Sequence, residues 1–221
     1  MPTWGSLLFQ NGTSPVMEHL IFFHDHIMIV MILIMVMVGY ILYNSCLNVF
    51  YNLSMFQGQE LESVWTMIPG VFLLFIAFPS LRLLYLMEDS DEYDMTIKVM
   101  GHQWYWSYEY SDLSLKVFDS YMVSDDESMF RLLNVDNLLM IPFNTVVRMI
   151  ISSVDVIHSW TIPSIGVSAD AIPGRLNQLS MVFNRVGLFS GQCSEICGAN
   201  HSFMPILVFV VPRMEFLLKW F

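Results

Sequence analysis

Basic residues are scarce in this chain of 221 residues, which has nine Lys and Arg against 20 Asp and Glu. None precedes Arg82, so we expect neither the basic n-region of a secretory signal nor an Arg-rich transit peptide. From Glu88 onward, 16 acidic and eight basic residues give a net charge of −8. This acidity disfavours nucleic-acid binding and suits a basic protein partner attracted by long-range electrostatics.

Cysteine is also rare, with three residues in the chain. Cys46 stands alone among hydrophobic residues, which predicts a small packed side chain. The other two share the segment GQCSEICGANHSFM (191–204) with a carboxylate, a histidine and a methionine. Soft donor atoms are therefore concentrated at one point of an otherwise apolar chain.

Long hydrophobic runs dominate the first part of the chain. Residues 20–42 carry no charge after Asp25, and residues 64–81 are uncharged and bounded by Glu62 and Arg82. About 20 apolar residues cross a bilayer, and membrane helices tolerate internal prolines such as Pro69 and Pro79. We predict two spans at about 20–43 and 62–87, within a domain of residues 1–88, with both termini on the same side.

The motif HDH (24–26) in the first span does not predict a metal site. Residues two apart on a helix do not face one another. We expect a polar stretch near the interface or against other subunits.

After the acidic hinge at 88–94 the pattern changes to short segments rich in β-branched and aromatic residues, separated by turn residues. This pattern predicts an all-β domain over 89–221 with a Greek-key barrel or sandwich arrangement. In QWYWSYEY, alternation places Trp104, Trp106, Tyr108 and Tyr110 on one face, where we expect most of them to pack. The predicted strands are TIKV (96–99), QWYWSYEY (103–110), RLLNVDN (131–137), VVRMIISS (146–153), LSMVFN (179–184), VGLFSGQ (186–192) and ILVFVV (206–211).

The segment 191–204 offers thiolate, imidazole and thioether ligands, which favour copper over magnesium, calcium or manganese. A second histidine must come from elsewhere, and His158 in DVIHSW follows a predicted strand whose edge can approach a late loop. We favour a two-copper site bridged by both thiolates. Zinc and a disulfide remain alternatives, although zinc does not favour the thioether of Met204.

Several motifs together resemble the mitochondrial, aa3-type family of cytochrome c oxidase subunit II. The likeness runs nearly end to end and is strongest in the last of these blocks: FHDH, ELESVWTMIPG, FPSLRLLYLM, GHQWYWSYEY, FDSYM, RLLNVDN, DVIHSW, DAIPGRLNQ and GQCSEICGANHSFMP.

The resemblance implies a cupredoxin-like domain that carries the binuclear copper A centre. The bridging sulfurs would come from Cys193 and Cys197. His158 and Met204 would complete one copper, and His201 with the backbone carbonyl of Glu195 the other. The Glu195 carboxylate would also bind magnesium shared with subunit I.

Further residues acquire expected roles from the same resemblance. Electrons would enter at Trp104, and Glu62 would lie near the mouth of a proton pathway. Docking of cytochrome c would use the carboxylates of Asp112, Asp119, Asp136 and Asp155.

The implied function is electron transfer from reduced cytochrome c to haem a and the oxygen-reducing site of subunit I, coupled to proton pumping by the complex. The chain would be a subunit of that oxidoreductase without oxygen chemistry of its own. Its partners would be cytochrome c, subunits I and III, accessory subunits and lipid, with no nucleic acid. It would lie in the mitochondrial inner membrane, with both termini and the copper domain in the intermembrane space.

The chain departs from the family pattern in two places. Ser114, Leu115 and Lys116 stand where relatives often carry docking carboxylates, which Asp125, Asp126 and Glu127 could replace. Ser168 stands where many relatives have lysine, in a loop expected to contact subunit I.

Three other functions are disfavoured by particular features. A nitrous oxide reductase would need a propeller domain for which the chain has no room. A copper-free, quinol-oxidase-like subunit would lack the paired cysteines. A copper chaperone or zinc module would need neither two membrane spans nor GHQWYWSYEY.

Overall fold

Two long helices precede the β strands in the computed structural model, which describes residues 5–54, 56–88, 92–112, 116–123 and 130–220. Helix α1 is Pro15–Leu47 and helix α2 is Gln59–Glu88. Each is long and apolar enough to cross a membrane. At ~1.5 Å per residue they measure about 50 and 45 Å, more than the ~30 Å of hydrocarbon.

Helix α1 begins at Pro15, and the preceding Ser14 caps its N-terminus. The hydroxyl of Ser14 accepts a hydrogen bond from the backbone N–H of Met17 at 3.0 Å, as an N-cap does. Pro15 takes the first helical position, where its missing N–H costs nothing. Near the other end, Cys46 is exposed in this chain, so the expectation that it is packed was wrong at the level of the single chain.

Two five-stranded sheets make up the rest of the fold. Their strand orders are β3-β2-β1-β5-β8 and β4-β10-β9-β6-β7. The pairs β1/β5 and β4/β10 are parallel, and the other pairs are antiparallel. The strands are β1 Met95–His102, β2 Tyr105–Tyr110, β3 Lys116–Ser120, β4 Leu139–Pro142, β5 Val147–Ser153, β6 His158–Ile162, β7 Val167–Ala171, β8 Asn177–Met181, β9 Gly187–Cys193 and β10 Pro205–Val211, followed by helix α3, Arg213–Trp220.

Alternating apolar residues of the strands form the core. Ile97 and Val99 of β1 are fully buried, as is Ile206 of β10. Aromatic residues of β2 join them, and the hydroxyl of Tyr110 donates to the carbonyl oxygen of Met140 at 2.8 Å. The predicted class, two apolar helices followed by an all-β two-sheet domain, is confirmed.

Two local predictions need correction, and one helix was not predicted. The segment RLLNVDN (131–137) forms turns with an isolated bridge between Val135 and Met122, so its assignment as a strand was wrong. This segment is a loop that has no continuous ladder of backbone hydrogen bonds to a neighbouring strand. Trp104 precedes β2 and does not share its fully buried face. Helix α3 was not predicted, because eight residues offer little helical periodicity.

The segment before α1 belongs structurally to the β domain. The chain divides into two units, one of which is His19–Leu86, while the other includes the described residues before His19. Thr13 donates its backbone N–H to the carbonyl of Ser164 at 2.9 Å and accepts from Asn184 N–H at 2.7 Å. The Ser14 hydroxyl donates to the carbonyl of Ile165 at 2.7 Å. The β domain therefore binds the chain just before it enters the first helix.

Candidate metal centre

The candidate ligands converge because two neighbouring strands place them at one end of the second sheet. His158 is the first residue of β6 and Cys193 the last of β9, and these strands pair antiparallel with Trp160 opposite Cys193. Strands β6 and β9 lie so close together that a Cβ at Gly191 would collide with the carbonyl oxygen of Thr161. The loop after Cys193 then returns toward β10.

The soft donor atoms form one cluster. A ring nitrogen of His158 and the sulfurs of Cys193 and Cys197 all lie within 4.8 Å of one another. The two sulfurs are 4.0 Å apart and both cysteines are free thiols, so a disulfide is absent here. The sulfur of Cys197 is 3.6 Å from Nδ1 of His201 and 3.5 Å from Sδ of Met204.

The backbone of Glu195 completes the set. Its carbonyl oxygen lies 3.2 Å from Sγ of Cys193. The structure thus brings together every residue that the sequence predicted for the metal centre.

The two ring nitrogens of His158 have different surroundings. Its Nε2 atom is 2.9 Å from Oδ1 of Asp155, while Nδ1 is buried without a hydrogen-bond partner among the described residues. A buried polar atom normally has a partner. A metal ion would supply one, so the donor set fits a metal on this observation.

Packing holds the His158 ring in place. A Cβ at Gly101 would lie 2.8 Å from Cδ2 of His158, so only glycine leaves room for the ring. The ring also packs edge-on against Trp106, with centroids 5.8 Å apart. Trp106 in turn donates from Nε1 to the carbonyl oxygen of Met204 at 3.3 Å. One core tryptophan therefore contacts two candidate ligand residues.

The carboxylate of Asp155 is engaged inside the protein. It accepts hydrogen bonds from the backbone N–H groups of Gln103 at 2.7 Å and Val156 at 2.6 Å, besides its contact with His158. Burial alone would raise the pKa of Asp155, but the bonds from His158, Val156 and Gln103 outweigh it and lower the pKa to about 2. Burial lowers the pKa of His158, yet Cys193 and Asp155 more than offset this and raise it.

The two thiols differ in how readily they ionise. Burial raises the pKa of Cys193, but the nearby imidazole of His158 and neighbouring backbone groups reverse the effect and lower it. Burial and the charge of Cys193 both raise the pKa of Cys197. A thiolate therefore forms first at Cys193, and thiolates are the form that binds metal.

Trp104 lies against the metal loop. A Cβ at Gly198 would be 3.1 Å from Cζ2 of the indole, and Gly198 has a φ of +128°, a region that favours glycine. The preceding residue, Gln103, donates from its side-chain amide to the carbonyl oxygen of Cys197 at 2.8 Å. The turn that carries Trp104 is thus bonded directly to the backbone of Cys197, a candidate ligand.

The other predicted residues lie apart from this cluster. Glu62 is in the first turn of α2. Asp119 and Asp136 are exposed on the β domain, and Asp112 accepts from the backbone N–H of Thr96 at 2.6 Å. The altered acidic stretch (Ser114, Leu115 and the side chain of Lys116) and its possible replacements (Asp125, Asp126 and Glu127) lie outside the described residues. Ser168 is exposed and its hydroxyl lies 2.8 Å from that of Thr161.

Two supporting residues were missed from the sequence, Gly101 and Gln103. Asp155 was expected only as a docking carboxylate, although it stands three residues before His158, a candidate ligand. A carboxylate that orients a metal-binding imidazole is common, so that spacing was an available signal. Nothing in the sequence marks Gly101, whose contact with His158 crosses between the two sheets.

Fold and site together define a class: a membrane-anchored, two-sheet β domain with a buried site of soft metal ligands. Comparisons with known proteins identify the family. The family model "Cytochrome C oxidase subunit II, periplasmic domain" matches residues 95–211. The corresponding transmembrane-domain model matches residues 2–83.

Individual relatives agree with the family models. Cytochrome c oxidase subunit 2 of Drosophila melanogaster is 52% identical over 223 aligned positions, covering 100% of this chain and 97% of the relative. The Aedes aegypti protein is 53% identical with the same coverage. The crystal structure of the periplasmic domain of subunit II from Bradyrhizobium japonicum matches with a TM-score of 0.56 and 46% identity, covering 58% of this chain and 92% of that domain.

The chain belongs to the cytochrome c oxidase subunit II family. It is a two-span membrane protein, a subunit of cytochrome c oxidase, and the subunit through which electrons enter the terminal oxidase. The cluster of His158, Cys193, Cys197 and Met204 is consistent with the copper A site of that family.

Proposed function

We propose that the clustered side chains hold a binuclear copper A centre, through which the chain carries electrons from reduced cytochrome c toward haem a of subunit I. Cys193 and Cys197 would bridge the metals, with His158 and Met204 on one copper. His201 and the carbonyl oxygen of Glu195 would complete the other. When bound, two coppers that share one unpaired electron would supply a one-electron carrier with little structural change on redox.

The observation that supports this proposal most directly is the unpartnered Nδ1 of His158. The residue is fully buried, and its other nitrogen is already bonded to Asp155. Met204 is 1% exposed, and its sulfur faces Cys197. The thioether favours copper over zinc, which takes thiolate, imidazole and carboxylate.

The protein around the site keeps its donors in place. Trp106 and Gly101 hold the His158 ring, and Asp155 fixes its tautomer, so Nε2 carries the proton and Nδ1 is left for metal. Burial excludes water from both sulfurs. Preformed ligands that move little on electron transfer favour fast one-electron chemistry.

Paramagnetic resonance of the copper-loaded full chain, partly oxidised in detergent, tests the metal centre. We expect hyperfine splitting shared equally by two copper nuclei. Cys197→Ser should abolish this pattern, and Ser194→Ala, beside the cluster, is the matched control. Splitting from a single nucleus in the parent chain would contradict the proposal, as would zinc retained in preference to copper.

We propose that Trp104 is where electrons enter. Its support is the contact between the indole and Gly198, the residue after Cys197, together with the hydrogen bond from Gln103 to Cys197. In the purified oxidase, Trp104→Leu should slow reduction by cytochrome c by at least tenfold and leave the copper spectrum unchanged. An unchanged reduction rate would count against this role.

We propose that Asp112, Asp119, Asp136 and Asp155 contribute to docking of basic cytochrome c. Asp119 and Asp136 have the best support, because both are exposed and lie close together, with Asn137, the residue after Asp136, donating to the backbone carbonyl of Asp119. Replacing either with Asn should weaken the salt dependence of the association rate. Asp155 also supports His158, so its replacement should affect both docking and copper.

The remaining roles are proposals from the family. The side chain of Glu195, partly exposed beside the cluster, would bind magnesium with subunit I. Glu62 would lie near the mouth of a proton pathway. Residues 89–221 would face the mitochondrial intermembrane space together with both termini, while residues 1–88 would carry the two membrane spans. Subunit III, accessory subunits and lipid would complete the surroundings.

A further inference from the structure

A hydrogen bond joins the two membrane helices. Nε2 of His26 in α1 lies 3.1 Å from the backbone carbonyl oxygen of Phe75 in α2. Both residues belong to the unit His19–Leu86. A carbonyl oxygen can only accept, so Nε2 carries a proton and donates it.

The carbonyl of Phe75 needs an outside donor because of a proline four residues later. In an α-helix the C=O of residue 75 would accept from the N–H of residue 79. Position 79 is Pro79, inside α2, and proline has no N–H. The bilayer core has no water to replace this bond, so leaving the carbonyl unpaired would destabilise the helix.

The positions of the two residues along their helices are compatible. His26 is 11 residues after Pro15, about 16 Å along α1, and Phe75 is 13 residues before Glu88, about 20 Å along α2. His26 therefore stands at the start of the uncharged run that follows Asp25, and Phe75 lies within the uncharged run 64–81, where few other donors are available.

We propose that His26 is a positioning residue that supplies the hydrogen-bond donor removed by Pro79 and thereby fixes α1 against α2. His26, the third residue of the HDH motif, then has a structural role. Neither a metal site nor a polar stretch at the membrane interface would explain its bond to Phe75. Its neighbour His24 contacts Asp25 at 3.3 Å and is exposed. The proposal does not depend on the copper centre.

A double-mutant cycle on the full chain in lipid nanodiscs tests the proposal. In Pro79→Ala, the new N–H of residue 79 can pair with the Phe75 carbonyl, so the His26 bond becomes redundant. We expect His26→Leu to lower the midpoint of thermal unfolding by at least about 2–4 °C in the parent chain, the shift typical of a single lost interaction at this size. In the Pro79→Ala background it should have little effect.

Two further variants sharpen the test. His26→Gln, whose amide can reach as a donor, should recover part of the loss. His19→Leu is the matched control, because it removes an imidazole on the same face two turns away that makes no hydrogen bond within the described chain. It should leave the midpoint unchanged.

Each outcome decides for or against the proposal. An equal drop on both backgrounds would show that His26 acts by packing alone, and no drop in the parent chain would overturn the role directly. If His26→Leu fails to accumulate, recovery by adding Pro79→Ala supports the proposal and failure to recover overturns it.

Discussion

Asp155 and His158 form a hydrogen-bonded pair at the edge of the candidate metal centre, with Oδ1 and Nε2 2.9 Å apart. The same carboxylate accepts from the backbone of Gln103. Gln103 also donates to Cys197 and precedes Trp104. One carboxylate therefore connects His158, a candidate ligand, to the turn where electrons are proposed to enter.

Asp155→Ala should lower copper affinity by about 10- to 100-fold, the usual effect of removing a residue that orients a metal-binding histidine. The His158 ring would lose its fixed tautomer and orientation. Competition with a Cu(I) chelator on the full chain measures this effect. Asp170→Asn removes an exposed carboxylate on the neighbouring strand and should not change the affinity. Equal affinities for parent and Asp155→Ala would refute the role.

The Asp155 interaction should stabilise the apo chain only above acidic pH. Its folded-state pKa of about 2 is below the ordinary 3.8, so the unfolded state binds the proton first as pH falls. The stabilisation is complete above about pH 4 and is lost as the pH falls through about 2. Thermal unfolding of parent and Asp155→Asn should therefore differ at pH 5 and converge near pH 2. A difference that stays constant over this range would contradict the assignment.

Gly101→Ala should displace the His158 ring, because the new Cβ would lie 2.8 Å from Cδ2 and 3.3 Å from Cβ of His158. We expect a stability loss of about 1–3 kcal/mol, typical of overpacking, and weaker copper binding. Unfolding curves and copper titration measure both effects. Gly70→Ala is the control, since nothing lies within 4 Å of its new methyl group. If copper binding is unchanged in Gly101→Ala, the ring is not constrained as described.

Met204→Leu should keep copper but alter its redox potential or the stability of the site. Leucine has a similar volume and fills the buried position, but it removes the sulfur that lies 3.5 Å from Cys197. Potentiometric titration with copper quantification tests this. Parental potential and copper affinity in the variant would count against Met204 as a ligand.

Ser14→Ala should destabilise the β domain as well as the start of α1. It removes the cap on Met17 and the hydrogen bond to Ile165 together. A helix cap alone contributes about 1 kcal/mol, so we expect a loss of about 1–2 kcal/mol with both bonds. Hydrogen exchange at Met17 and unfolding of the full chain measure it. Ser6→Ala, which affects an exposed local bond at 3.4 Å, should be neutral.

The sequence by itself determined the fold class and the set of candidate ligands. Long uncharged runs can only satisfy their backbone as helices in a membrane, so α1 and α2 were predictable from composition. Thiolate, thioether and imidazole side chains concentrated in 191–204 indicated a soft metal, because that preference belongs to the atoms.

Only the tertiary structure decided how the parts are held. Gly101 contacts His158 from the other sheet, and His26 donates to a carbonyl 49 residues away. The segment RLLNVDN has strand-like composition, yet it forms turns with a single bridge to Met122. A local sequence pattern indicates whether a residue prefers to be buried or exposed. These contacts depend instead on which residues, distant in the sequence, the fold places beside it.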